Sequence, residues 1–150
     1  MDQVTAADDA LITTFGRLVE AHSSLSRQLG RSLVQQAGVP HTWFEVLLRV
    51  SRAEGAQMSM GELAQQVALT SGGVTKLVDR MIDAGLVERV QCTTDRRVSF
   101  AALTRQGQEA LSRAVQVHAT DLRLVFSGFS ERDLRTTDAL LDRLRDVELP

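Results

Sequence analysis

Two short stretches concentrate side chains suited to a polyanion. The first is Ser71-Gly72-Gly73-Val74-Thr75-Lys76 followed by Arg80, and the second is Asp95-Arg96-Arg97. Ser71 and Thr75 donate and accept hydrogen bonds, and Lys76 has the reach for guanine O6/N7 or a phosphate. Gly72 and Gly73 each cost about 1 kcal/mol in helix propensity. Either they let backbone amides approach a phosphate at a helix N-terminus, or they relieve crowding in a first turn. Arg96 and Arg97 stand between two alternating runs, at the end of a narrow hairpin. That shape fits a minor groove, whose negative potential concentrates where it narrows. Asp95 is placed to hydrogen-bond the loop or Arg97 and so hold the guanidinium; the plain alternative is an ordinary charged turn. Arg80 and Arg89 suit phosphate contacts or ion pairs better than base reading.

Other chemistries find little support. There is no glycine-rich phosphate loop, no nucleophile with a histidine partner and no paired carboxylates in a motif, so an enzyme is not expected. His22, His41 and His118 lack ligand spacing, and the single cysteine, Cys92, completes no metal site; no metal and no cofactor are expected. With 150 residues, 43% hydrophobic and 24% charged, the composition is that of a soluble globular protein. No apolar run approaches the roughly 18–20 residues of a membrane span, and no signal-peptide pattern opens the chain. One cysteine fits a reducing cytoplasm. The net charge of −2 argues against a broad basic field. Only residues 58–105 are net positive, where Lys76, Arg80, Arg89, Arg96, Arg97 and Arg105 outnumber the acids by one. Any nucleic-acid contact must therefore rest on a few well-placed cations.

The elements that must position these residues follow from periodicity. From Asp8 to about Ala37, Leu11, Phe15, Leu18, Leu25, Leu29 and Leu33 recur at helical spacing, and Gly38-Val39-Pro40 ends the helix. Such a helix is too long to bury its stripe on a small domain, which points to dimerisation. Thr42-Trp43-Phe44-Glu45 reads as a capping box for a second helix, packing through Phe44, Leu47, Leu48 and Ser51. Ser59-Met60-Gly61-Glu62 opens a third, packed through Leu63, Ala64 and Val67. Ala68-Leu69 make a turn, and Thr70 caps a helix over 71–84 with the stripe Val74, Leu77, Val78, Met81. Gly85 stops it.

The period then drops to 2 over residues 86–91 and again over 98–103, a hairpin with a charged loop. Thr104 caps a helix to about Phe126 that packs through Leu111, Val115, His118 and Leu122. Ser130-Glu131-Arg132-Asp133 opens the last helix, with Leu134, Leu140, Leu141 and Leu144. Only the first six or seven and last two or three residues look loose. The fold expected is mainly α with a small β-hairpin wing, ordered α-α-α-α-β-β-α-α. A winged helix-turn-helix spans about residues 57–104 within a domain at 38–104, and residues 1–37 and 105–150 form dimerisation helices.

Gly61-Glu62-Leu63-Ala64, the run Val74-Thr75-Lys76-Leu77-Val78-Asp79-Arg80-Met81, Gly85-Leu86-Val87-Glu88-Arg89, Asp95-Arg96-Arg97 and Leu103-Thr104 occur in order and at the right spacing. Together they make the chain resemble the MarR family of bacterial transcriptional regulators, nearly from end to end. The resemblance implies a homodimer with interlocked terminal helices that binds double-stranded DNA and represses genes until a ligand or oxidant intervenes. It implies Arg97 as the arginine inserted in the groove and Asp95 as its positioner, and a small-molecule pocket between the dimerisation helices and the DNA-binding domain. Ala68 stands where the family often has a turn glycine, and Cys92-Thr93-Thr94 replaces a proline-containing approach to the wing.

Two domains on one dimer should read a near-palindrome with roughly 10 bp between half-site centres. Arg17, His22, Trp43 and Arg49 are the polar or aromatic residues expected to border the pocket. A cation beside an aromatic ring there suits a small aromatic acid. Each also has a structural reading, Trp43 as core and His22 as an exposed imidazole. Two rivals stay open: a winged-helix module used only for protein contacts, and a redox-sensing regulator acting through Cys92.

Overall fold

The computed structural model describes residues 9–67 and 71–148, and the Ser71 side chain lies outside the description. So do the Ala68-Leu69 turn and the Thr70 cap expected above. The described chain divides into two compact units, one up to His118 and one from Ala119.

The first helix, α1 (Ala10–Ser32), starts on Asp9, whose carboxylate accepts from the Leu11 amide at 2.7 Å. It runs into a π-helical turn, Leu33–Ala37, that ends on Gly38 at φ 69°, as the Gly-Val-Pro signal predicts. Of its expected stripe only Leu29 and Leu33 are buried; Leu11 and Phe15 are 77% and 67% exposed. Helix α2 (His41–Arg52) begins one residue before the expected capping box and has no side-chain cap. Pro40, extended at ψ 145°, takes the cap position and presets the turn, so Thr42 lies inside the helix. Phe44 and Leu47 are buried as expected, together with Val46 and Val50.

A short strand not foreseen in the sequence follows: β1 (Gln57–Ser59), three residues with only Met58 buried, too brief for alternation to declare itself. The preceding turn places Ala56 at φ 53°, the one described non-glycine residue with positive φ. Helix α3 (Met60–Gln66) begins with the expected capping box: Glu62 N–H donates to Ser59 Oγ, and Ser59 N–H donates to the Glu62 carboxylate at 3.1 Å. Helix α4 (Ser71–Asp83) buries Val74, Leu77, Val78 and Met81, the stripe its spacing predicts. Gly85, at φ 73°, terminates it.

Strands β2 (Val87–Gln91) and β3 (Ser99–Leu103) form the wing, and β3 is central in an antiparallel sheet of order β1-β3-β2. Met58 pairs with Ala101, and Val87 with Leu103. The alternation expected of β2 buries only Val87, with Val90 37% exposed. β1 pairs with β3 no further toward the wing tip than Phe100, so beyond that point the hairpin is two strands with water on both sides.

Helix α5 (Arg105–Val125) packs differently from expectation. Its buried positions are Gly107, Ala110 and Ala114, while Leu111 is only partly buried and Val115 is exposed. Small residues let the helix backbone come close to the core, which displaces the larger apolar side chains to its flank. His118 does pack inward, its ring 4.8 Å from that of Phe44. In the second unit, helix α6 (Glu131–Arg145) starts on a Ser130–Asp133 capping box and leaves Leu134, Leu140, Leu141 and Leu144 exposed.

Candidate nucleic-acid interface

Helix α4 is held by its apolar stripe, so its other side faces outward by geometry. Gly72, Thr75, Lys76, Asp79 and Arg80 are exposed there, and Gly73 is half-buried. A Cβ on Gly72 would meet nothing within 4 Å among the described residues.

The wing tip is built around Asp95. Its carboxylate accepts from the Arg97 amide at 2.9 Å and lies 3.5 Å from Arg97 Nε, so it meets both the loop and the guanidinium. The Val98 amide donates to the Asp95 carbonyl at 3.0 Å, and the Cys92 amide donates to the Val98 carbonyl at 3.0 Å, closing the loop. The Gln91 side-chain amide donates to the Arg96 carbonyl at 3.0 Å, a bracing role that nothing in the sequence reading assigned. The Arg97 side chain is 94% exposed. Arg96 is exposed as well. The tip thus displays two guanidiniums on an ordered turn, at no cost in buried charge.

One ion pair joins α4 to the first strand of the wing. Arg89 on β2 donates to Asp79 on α4 at 2.7 Å, tying the wing strand to the outward face of the helix. Arg89 is therefore an ion-pair residue, whereas Arg80 is exposed and takes part in none of the described ion pairs. The partner of Asp79 lies ten positions away and in another element, so no local spacing announces the pair.

Cys92 follows the last residue of β2, with Sγ 3.2 Å from Thr94 Oγ1. That hydrogen bond, with those to the Asp95 and Thr94 backbone, holds the thiol below the ordinary cysteine range. It is the chain's single cysteine, so a thiol to resolve an oxidised sulfur would have to come from another molecule.

The residues expected to border a ligand are spread over two helices. Arg17 and His22 are exposed on α1, with His22 Nε2 3.4 Å from Ser26 Oγ one turn on. Trp43 is partly buried against the core of the lobe. Arg49 Nε donates to the Gln66 carbonyl at 3.1 Å, satisfying a carbonyl in the last turn of α3. Among the clefts lined by described residues of the first unit, two stand out. One is lined by Glu54, Gln57, Met58, Glu62, Gln66 and Phe100 among others, and the second by Ser51, Leu103, Gln108, Leu111, Val115 and Gln116 among others. None of Arg17, His22, Trp43 or Arg49 lines either cleft.

Comparison with known proteins places this geometry. The model of the MarR family matches residues 37–98, from the last residue of the π-helical turn through the wing tip. MhqR, an HTH-type transcriptional regulator of Bacillus subtilis (strain 168), is 28% identical over 127 residues, which span 85% of this chain and 86% of that one. AbsC, a MarR family transcriptional regulator from Streptomyces coelicolor, has a similar structure with a TM-score of 0.81, at 26% identity and 97% of each chain. Sco3205 from the same organism, another MarR family regulator, was solved in complex with DNA. It matches with a TM-score of 0.83 at 26% identity, over 98% of this chain and 94% of that one. The mostly helical fold with its small three-stranded sheet matches these structures, and the chain is similar to the DNA-binding transcriptional regulators of the MarR family.

Proposed function

We propose that the chain acts in the cytoplasm as a homodimeric, ligand-responsive repressor that reads a near-palindromic operator. In this reading α1 and the helices from residue 105 onward form the dimer, and residues 38–104 form the DNA-binding domain. The apolar residues exposed on α1, and separately those exposed on α6, support it, because each helix has an apolar face in want of a cover. Helix α4 enters the major groove, with Ser71, Gly72, Gly73, Thr75 and Lys76 toward base edges and phosphates, and Arg80 on the backbone. The wing enters the adjacent minor groove with Arg97, steadied by Asp95 and flanked by Arg96.

The observation that carries this reading is the Asp95–Arg97 pair on a hydrogen-bonded loop that leaves the Arg97 side chain exposed. A chain of net charge −2 has no general attraction to DNA to fall back on. Arg97→Ala should weaken binding of a duplex in a mobility-shift assay by about 1–3 kcal/mol or more, with the dimer intact by light scattering. Unchanged affinity would remove Arg97 from the interface.

The ligand proposed is a small aromatic acid, met by cationic and aromatic side chains from the set Arg17, His22, Trp43 and Arg49. A thermal-shift screen against salicylate-like acids tests this, and no stabilisation across a broad panel would contradict it.

A further inference from the structure

The C-terminal end of α4 and the N-terminal end of α5 share one set of hydrogen bonds. Gly85 and Leu86 close α4, with the Gly85 amide donating to the Ile82 carbonyl at 2.8 Å and the Leu86 amide to the Met81 carbonyl at 3.0 Å. Their own carbonyls then turn to Thr104, nearly twenty residues later. Thr104 Oγ1 donates to the Gly85 carbonyl at 2.6 Å, and the Thr104 amide donates to the Leu86 carbonyl at 3.1 Å. The same hydroxyl accepts from the Gly107 amide at 3.0 Å, which makes Thr104 the N-cap of α5. One hydroxyl therefore serves as donor to the end of one helix and acceptor for the start of the other, in a polarised chain.

Gly107 completes the joint. It is buried, and a Cβ there would overlap the Leu86 carbonyl oxygen, a backbone atom with no side-chain freedom to yield. Ala110 and Ala114 continue the same face at one-turn intervals and are also buried. The first half of α5 is thus seated against the lobe by backbone contact, and it cannot roll without breaking both the cap and the close approach.

We propose that Thr104 and Gly107 are positioning residues for DNA recognition: they clasp α5 to the C-terminus of α4, so that the direction of α5 fixes the direction of the recognition helix. This rests on the reading of α4 as the recognition helix of a dimer. A clasp of this kind makes the protein intolerant of a changed half-site spacing, because each inserted base pair rotates one half-site by roughly 35°.

The test uses the full chain carrying Thr104→Val or Thr104→Ala, with Thr104→Ser as the conservative variant, each kept only if its circular dichroism matches the wild type. Spin labels at Lys76 and Arg113, on a Cys92→Ser background diluted into unlabelled protein, report the α4–α5 distance without DNA. Fluorescence anisotropy then uses a duplex selected by the wild type from a random library, and the same duplex with one or two base pairs inserted between half-sites. The distance distribution should broaden in Thr104→Val or Thr104→Ala and stay narrow in Thr104→Ser. Affinity for the parent duplex should fall about tenfold, while discrimination against the inserted duplexes is lost and is restored by serine. A wild-type-width distribution in the variants overturns the clasp, and so does a broadened one with spacing discrimination intact. A wild type that binds no selected duplex contradicts the DNA-binding reading instead, and leaves the distance measurement to decide the clasp.

Discussion

Helix α4 and the N-terminal half of α1 carry the same kind of apolar stripe, yet only one is covered. Val74, Leu77, Val78 and Met81 on α4 are all buried, whereas Leu11, Phe15 and Leu18 on α1 are all exposed. Helix α6 in the second unit repeats the α1 pattern with Leu140, Leu141 and Leu144. Periodicity announces that a face will be covered; it does not say by what. The winged lobe supplies its own cover from α2, α3, α5 and the sheet, while the stripe at the start of α1 finds none within its unit and that of α6 none within its own, the cover that the proposed dimer would provide.

The contrast is sharpest under truncation. Met81→Ala should destabilise the chain by about 2–5 kcal/mol in urea, because it empties a fully buried site. Phe15→Ala should instead weaken self-association, read by sedimentation equilibrium, and make the melting temperature more dependent on protein concentration. If Phe15→Ala left self-association unchanged, the second-copy cover for α1 would be lost.

At Gly72 stability and function should part company. Alanine there meets nothing among the described residues, so it should raise helix stability by up to about 1 kcal/mol. It should also weaken DNA binding by keeping backbone amides from the phosphate. Stabilisation with full affinity would return Gly72 to a purely local role.

The two serine–carboxylate capping boxes allow the regions to be compared with chemistry held fixed. Ser59→Ala should cost about 1 kcal/mol of global stability, because α3 buries Leu63 and Ala64 in the lobe. Ser130→Ala should chiefly fray α6, which buries none of its side chains, and so appear in amide exchange before it appears in a melt. Hydrogen bonds from Ser59 and Ser130 hold the Glu62 and Asp133 carboxyls below their ordinary values. With folded values lowered, their contribution is complete above the ordinary carboxylate range and is lost as pH falls through the lowered values. Glu62→Gln with Asp133→Asn should therefore flatten the acid limb of stability against pH by lowering stability at neutral pH, and leave stability below the lowered values largely unchanged. The smallest effect expected is Asp79→Asn, which opens an exposed pair with Arg89 worth at most about 1 kcal/mol in denaturant.

Much of this architecture was legible because its signals are local. Ser59 and Glu62, Thr104, Ser130 and Gly85 each mark a helix end by chemistry within a few residues, and the structure places them there. The α4 stripe and the Asp95–Arg97 pairing are equally short-range. What was missed depends on distant partners. β1 is a strand only because β3 pairs with it, and α5 packs through Gly107, Ala110 and Ala114 because the core leaves room for a backbone but not for leucine. At the start of α2, Pro40 displaced a plausible capping box, a contest that residue types alone left undecided. Gln91 and Arg89 acquire their roles from groups across the hairpin and across to α4, which no spacing rule links.

The central claim is that two copies of α4 and the wing engage DNA together. Hydroxyl-radical footprinting on a duplex selected by the protein tests it most directly. The account predicts two symmetric protected zones with centres roughly 10 bp apart, flanked by minor-groove protection that disappears in Arg97→Ala. A single asymmetric zone, or flanking protection that survives Arg97→Ala, would contradict it.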